Sequence, residues 1–105
     1  MKTIHQYWVY IMANHHRNVI YTGVTNDLQI RYLQHKNEVN KGFTQKYKCH
    51  ELIYFEEHAL IEEAIAREKQ IKGWKREKKM ELVRSKNPWL KDLAIELGWT
   101  EIPLL

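Results

Sequence analysis

Two short runs of β-branched and aromatic residues, Tyr7–Met12 and Val19–Val24, are separated by little more than the polar stretch Asn14–Asn18. Runs of this length and composition read as strands. A connection this short requires them to lie side by side and antiparallel. A hairpin is therefore the first constraint on the fold, and the rest of the chain has to cover it. "TNDLQIRYLQHK" opens a helix that Thr25 or Asn26 can cap, with Asp27 in the first turn facing the positive end of the dipole. Asn40–Lys48, with Gly42, reads as an exposed loop, and Glu51–Glu56 regains strand character. His58–Lys72 reads as a helix ended by Gly73 as a C′ residue, and Lys75–Ser85 as another. Asn87 and Pro88 suit the N-cap and first position of a last short helix that Gly98 closes. The order is β-β-α-β-α-α-α, an α+β domain.

The 105 residues argue for one domain over 1–105, and a hydrophobic content of 44% is enough for a modest core. No apolar run approaches the ~20 residues of a membrane span, and Met1–Gln6 lacks the pattern of a secretory signal. Cys49 is the only cysteine, which excludes an intrachain disulfide and a CxxC metal pair and leaves it to pack as a small hydrophobe. A cytoplasmic protein is the resulting expectation. The net charge is +4 with a pI near 9.2. The distribution says more than the sum: Arg67, Lys69, Lys72, Lys75, Arg76, Lys78, Lys79, Arg84 and Lys86 face only Glu68, Glu77 and Glu81. After Lys86 the balance reverses. Such a basic segment suits a polyanion, foremost nucleic acid, or else a solvated helix face.

In a hairpin centred between His15 and His16, Tyr10 falls opposite Tyr21 and both phenols share one face. Gly23, two residues on, leaves that surface open. Facing tyrosines are common strand stabilisers, so the pair alone favours structure over chemistry. On the next helix Arg31 and His35 are at i and i+4 and emerge together. Arginine grips phosphate through two nitrogens, and histidine exchanges protons near neutral pH; the pair would be equally at home on a solvated face. In the helix after the third strand, Leu60, Ile61, Ala64, Ile65 and Ile71 mark an apolar stripe. At about 100° per residue, Glu68 falls near its centre. A carboxylate there calls for a buried arginine partner or a hard cation such as Mg²⁺, and the cation is the stronger reading.

The stretch "VYI…IYTGVTNDLQIRYLQHK…AREKQIKGW" resembles the GIY-YIG nuclease superfamily, in particular its small stand-alone bacterial members. The match runs from about Tyr7 to Trp89, with a C-terminal helix and tail over 88–105. It rests on a tyrosine, a Tyr-x-Gly beyond it, Arg-x3-His on the following helix and Arg-Glu on a later one. Trp8-Val9-Tyr10 and Tyr21-Thr22-Gly23 depart from the family's two namesake triplets but keep both tyrosines and the glycine. The resemblance implies a small three-stranded antiparallel sheet flanked by helices, the GIY-YIG nuclease fold, and metal-dependent phosphodiester hydrolysis. It also implies Tyr10 as general base or positioner of the attacking water, with Tyr21 in the same network. Arg31 would hold the scissile phosphate, His35 assist proton transfer, and Glu68 carry one Mg²⁺ or Mn²⁺. Gly23 would keep the site uncrowded, and Asn87 matches, more loosely, an asparagine near it. A phenol with a pKa of about 10 in water needs a nearby cation to act as a base at neutral pH, so the chemical step should then quicken as pH rises.

Lys46 and Tyr47, together with Lys72, Lys75, Arg76 and Asn87, are candidate nucleic-acid contacts; for Lys46 and Tyr47 an exposed turn is the equal alternative. Glu56, at a strand end, is expected to be solvated or to approach the metal. His15 and His16 diverge in a hairpin loop, and Trp74 reads as a hydrophobic cap. The reading is a metal-dependent endonuclease acting on DNA, with RNA also open. So short a chain leaves no room for a second reading domain, so cutting would be structure-directed or weakly sequence-specific unless a protein partner supplies specificity. The alternative is a catalytically silent nucleic-acid-binding module on the same fold.

Overall fold

A computed structural model describes residues 6–37, 42 and 46–99. Three strands, β1 (Tyr7–Ala13), β2 (Ile20–Thr25) and β3 (Glu51–His58), form one sheet in the order β2-β1-β3, with β1 antiparallel to both neighbours. Four helices accompany it: α1 (Leu28–Lys36), α2 (Ile61–Lys72), α3 (Arg76–Lys86) and α4 (Leu93–Glu96). Of the expected loop Asn40–Lys48, only Gly42 and residues 46–48 fall within the described residues, and the C-terminal tail beyond Trp99 lies outside them.

Alternation along β1 divides the core. Val9, Ile11 and Ala13 point to one face and are buried with Ala64 and Ile71 of α2 and Val83 of α3. Tyr10 and Met12 point to the other, with Leu28 and Tyr32 of α1, Cys49, Leu52 and Ala94 of α4. A bulge in the β1–β3 pairing, between Ile11 and Met12, leaves Ile53 without a partner on β1 and puts both Ile53 and Tyr54 in the first cluster.

The hairpin is closed by Asn14, whose backbone N–H donates to the Val19 carbonyl at 3.2 Å while its Oδ1 accepts from the Val19 N–H at 3.1 Å. Arg17 turns the chain at a left-handed φ of 62°. Its guanidinium donates to the Asn14, His15 and Leu90 carbonyls and to Glu51 Oε1. This loop moves the register by two positions from the symmetric expectation: Tyr10 faces Gly23, and Met12 faces Tyr21. A shift of two preserves parity, so the tyrosines still share a face.

Several expected boundaries change for local reasons. Asp27, not Thr25 or Asn26, caps α1 by accepting from the Ile30 N–H at 3.0 Å. His58 stays in β3, and Gly73 closes α2 at φ −77°, a right-handed conformation rather than the left-handed C′ turn. Asn87 does not cap the last helix. It ends α3, and Asp92 caps α4, accepting from the Ala94 N–H at 3.1 Å. The apolar stripe of α2 is only half realised. Ala64 and Ile71 are buried, whereas Leu60 is 55% and Ile61 44% exposed. Ile61 and Ile65 instead line an open cleft of about 240 Å³ with Tyr7, Val24, Thr25, Asn26 and Arg31.

Candidate active site

The phenol of Tyr10 is buried at the centre of β1, and its oxygen lies 2.8 Å from Nε2 of His35, which α1 projects onto the same face of the sheet. The ring rests over Gly23: a Cβ added there would stand 2.5 Å from Tyr10 Cζ, far inside contact distance. Gly23 is thus required for the seat of the Tyr10 ring, not to leave the surface open. Tyr21 completes a tilted aromatic triangle, with centroids 6.3 Å from Tyr10 and 5.4 Å from His35.

Charges converge on this triangle from two helices. Arg31 and Glu68 of α2 are both close enough to act on this phenol, the guanidinium favouring its ionised form and the carboxylate opposing it. Glu68 is 15% exposed and pairs with Lys72 one turn on at 3.1 Å; Lys72 Nζ also lies 5.8 Å over the Tyr21 ring. Glu68 therefore stands at the open border of the α2 stripe, where solvent and a cation can reach it. Tyr10, Tyr21, Gly23, Arg31, His35, Glu68 and Lys72 form one cluster.

The titration of the pair departs from the expectation for a tyrosine base. Burial pushes Tyr10 up to about 12, the Tyr21 phenol adds to the rise, and Arg31 only partly offsets them. Burial, Arg31 and His50 push His35 down to about 4. At pH 7 the imidazole is neutral and the phenol protonated. One proton is therefore shared across the 2.8 Å contact between the phenol oxygen and Nε2. His50 is the contributor that the motif spacing does not reveal, because it approaches from beyond the loop.

Other candidates lie elsewhere or are committed to the fold. Asn87 is 4% exposed, and Nδ2 donates to the Ile53 and Lys91 carbonyls while Oδ1 accepts from the Lys91 N–H, at 2.9, 2.8 and 3.0 Å. It is a buried clamp rather than a nucleic-acid contact. Arg76 donates to the Arg17 and Asn18 carbonyls and so braces the hairpin loop. Lys75 is exposed, as are Lys46 and Tyr47, whose Nζ and ring lie 5.3 Å apart. Glu56 is neither solvated nor near the cluster. Opposite Val9, it accepts from Tyr54 Oη at 2.5 Å, His58 Nε2 at 2.6 Å and Arg67 Nε at 3.0 Å. Burial works to raise its carboxyl, but the hydrogen bonds outweigh it and hold the group below the usual range.

Among the described residues no three His, Cys, Asp or Glu side chains gather as a metal cage, and no helix is long and apolar enough to cross a membrane. One recessed carboxylate, already holding an ammonium, still fits a hard divalent cation that keeps water and phosphate oxygens as its other ligands. Residues 6–81 match the GIY-YIG catalytic domain. The chain belongs to the GIY-YIG family. Its curated relatives include a UPF0213 protein of Staphylococcus epidermidis, 31% identical over 62% of this chain and 79% of its own. A UPF0213 protein of Bacillus pumilus is 38% identical over 57% and 61% of the two chains. The solution NMR structure of a UPF0213 protein from Bacillus halodurans superposes with a TM-score of 0.54 at 26% identity, over 83% of this chain and 92% of that one. In GIY-YIG terms, the altered triplet residues Val9 and Thr22 are both buried and alternate away from Tyr10 and Gly23, whereas Trp8 shares the Tyr10 face and packs against that cluster. The GIY-YIG domain places the chain in a nuclease family.

Proposed function

We propose that this chain is a divalent-metal-dependent endonuclease that hydrolyses phosphodiester bonds in DNA, directed more by substrate structure than by sequence. The observation that carries the reading is the 2.8 Å contact between the Tyr10 oxygen and a neutral His35, flanked by Arg31 and Glu68. Arg31 pairs with the scissile phosphate and lends fixed positive charge where negative charge develops. Tyr10 donates its proton to His35 Nε2, which leaves its lone pairs to accept from the attacking water. As the water oxygen bonds to phosphorus and the bond to the departing ester oxygen breaks, the water proton passes to the phenol oxygen and the phenol proton to His35, while the departing oxygen takes up a proton from solvent. In this relay the phenol is never a free tyrosinate; in the metal-free chain, burial and Tyr21 push it up to about 12. Tyr21 holds both rings in place, and Glu68 would hold the metal. A bound Mg²⁺ or Mn²⁺ supplies charge neutralisation at the phosphate and the departing oxygen.

The test is cleavage of labelled single-stranded, duplex and branched DNA by wild type and Glu68→Ala, with Mg²⁺ or Mn²⁺ and with EDTA. Metal-dependent cutting that Glu68→Ala lowers by at least about 100-fold, with binding retained, is the expected result. Tight binding without cutting of any substrate by wild type would make the chain a nucleic-acid-binding module instead. An RNA member of the panel decides whether ribose is accepted.

A further inference from the structure

Trp89 is the most exposed large apolar side chain among the described residues, at 79%. Its display is held rigidly. Asn87 bolts the turn to Ile53 of β3 and to Lys91. The Leu90 N–H donates to the Asn87 carbonyl at 3.0 Å, and Arg17 Nε donates to the Leu90 carbonyl at 3.0 Å. Pro88 restricts the backbone just before the indole. Leu90 just after it has φ 52°, a conformation that a non-glycine residue keeps only when its surroundings enforce it. The core has no use for this ring, yet a strand, the hairpin loop and a buried amide hold the turn that carries it.

The surroundings say what chemistry fits it. Arg84 and Lys86, in the last turn of α3, and Lys91 lie within five residues of Trp89 along the chain. Arg84 is exposed, Lys86 Nζ lies 5.3 Å over the Tyr54 ring, and Lys91 pairs only loosely with Glu96 at 3.9 Å. A flat, exposed indole in a chain segment that carries three cations suits a partner with a planar apolar unit on an anionic backbone. Unpaired bases of a nucleic-acid strand are such a partner, whereas a duplex keeps its base faces stacked against each other. We infer that Trp89 is a stacking platform for unpaired bases, with Arg84 and Lys86 holding the adjoining phosphates. This rests on the nucleic-acid reading above and narrows it to substrates with a single-stranded arm.

The experiment compares wild type, Trp89→Ala and Trp89→Phe for binding of labelled oligothymidylate and of a blunt duplex, with melting midpoints as a check on folding. Trp89→Ala should weaken strand binding by about 5- to 100-fold and leave duplex binding and the melting midpoint unchanged. Trp89→Phe should recover most of the loss, and tryptophan emission of the wild type should be quenched by the strand but not in Trp89→Phe. Equal strand binding by wild type and Trp89→Ala would overturn the inference, while metal-dependent cutting that needs Glu68 would keep the nuclease reading intact. Conversely, loss of strand binding in Trp89→Ala with no cutting by wild type would sustain the platform and sink the nuclease. Loss of a concentration-dependent dimer in Trp89→Ala, with strand binding intact, would assign the indole to a second copy of the chain and overturn the inference.

Discussion

At the residue scale, the proposed chemistry depends on two groups whose environments push their pKa values apart. Tyr10 rises to about 12 because its ring is buried beside Tyr21, and His35 falls to about 4 because it is buried beside Arg31 and His50. Between those metal-free values neither group changes protonation, so the proposed relay from water to phenol to imidazole is equally available at pH 6 and pH 9. The single-turnover cleavage rate at saturating metal should vary by less than about 3-fold over that range, because no group of the pair titrates in it. Below neutrality the sign is set by His35: the rate should fall only as pH drops towards about 4 and the imidazole gains the proton it must be free to accept. A rate that climbs about tenfold per pH unit from 6 to 9 would sink the relay and restore a tyrosinate base. The residues of this pair were legible in the sequence, because strand parity and helical i, i+4 spacing survive an error of register. Their protonation was not, because burial and the approach of His50 are tertiary facts.

At the element scale, misread residues are those whose side chains replace backbone partners. Asn87 before Pro88 has the local signature of a helix start, and nothing nearby in the sequence reveals the bulge that leaves Ile53 unpaired on β1. The structure brings the two together, and the amide satisfies the Ile53 carbonyl together with both backbone groups of Lys91. Unsatisfied buried groups cost about 1–3 kcal/mol each. Asn87→Ala should therefore destabilise the fold by about 2–4 kcal/mol, lowering the melting midpoint by more than about 10 °C. The check is thermal unfolding alongside DNA binding measured well below the midpoint. An unchanged midpoint with weakened DNA binding would return Asn87 to the role of a contact. The stripe of α2 illustrates the same limit from the apolar side. Periodicity identified the helix and put Glu68 on the right face, but it could not say that the first turn would stand clear of the sheet. The hairpin was readable because a short polar link leaves antiparallel pairing as the one solution; its two-residue offset was not, because it follows from the contacts of Asn14 and Arg17.

At the scale of the whole molecule, basic residues concentrate on α2 and α3, and these helices cover the face of the sheet opposite to Tyr10. The basic helices and the Tyr10 cluster therefore lie on different faces of the sheet, joined where Glu68 and Lys72 reach the edge of that cluster. The basic residues are not equivalent. Lys75 is exposed, whereas Arg76 next to it is tied to the carbonyls of the hairpin loop. If the first binds phosphate and the second braces the fold, neutralising each should read out differently. Lys75→Gln should flatten the dependence of log affinity on log salt by about 0.7 for a single strand and about 0.9 for a duplex, with no change in melting midpoint. Arg76→Gln should lower the midpoint, because it frees two loop carbonyls from their donor. In neither variant should the cleavage rate of the bound complex change, since neither residue belongs to the Tyr10 cluster. Salt titrations of binding with single-turnover rates on saturated complexes separate these effects. A salt slope that is shallow in the wild type and unmoved by Lys75→Gln would mean that the basic helices meet a protein rather than a polyanion.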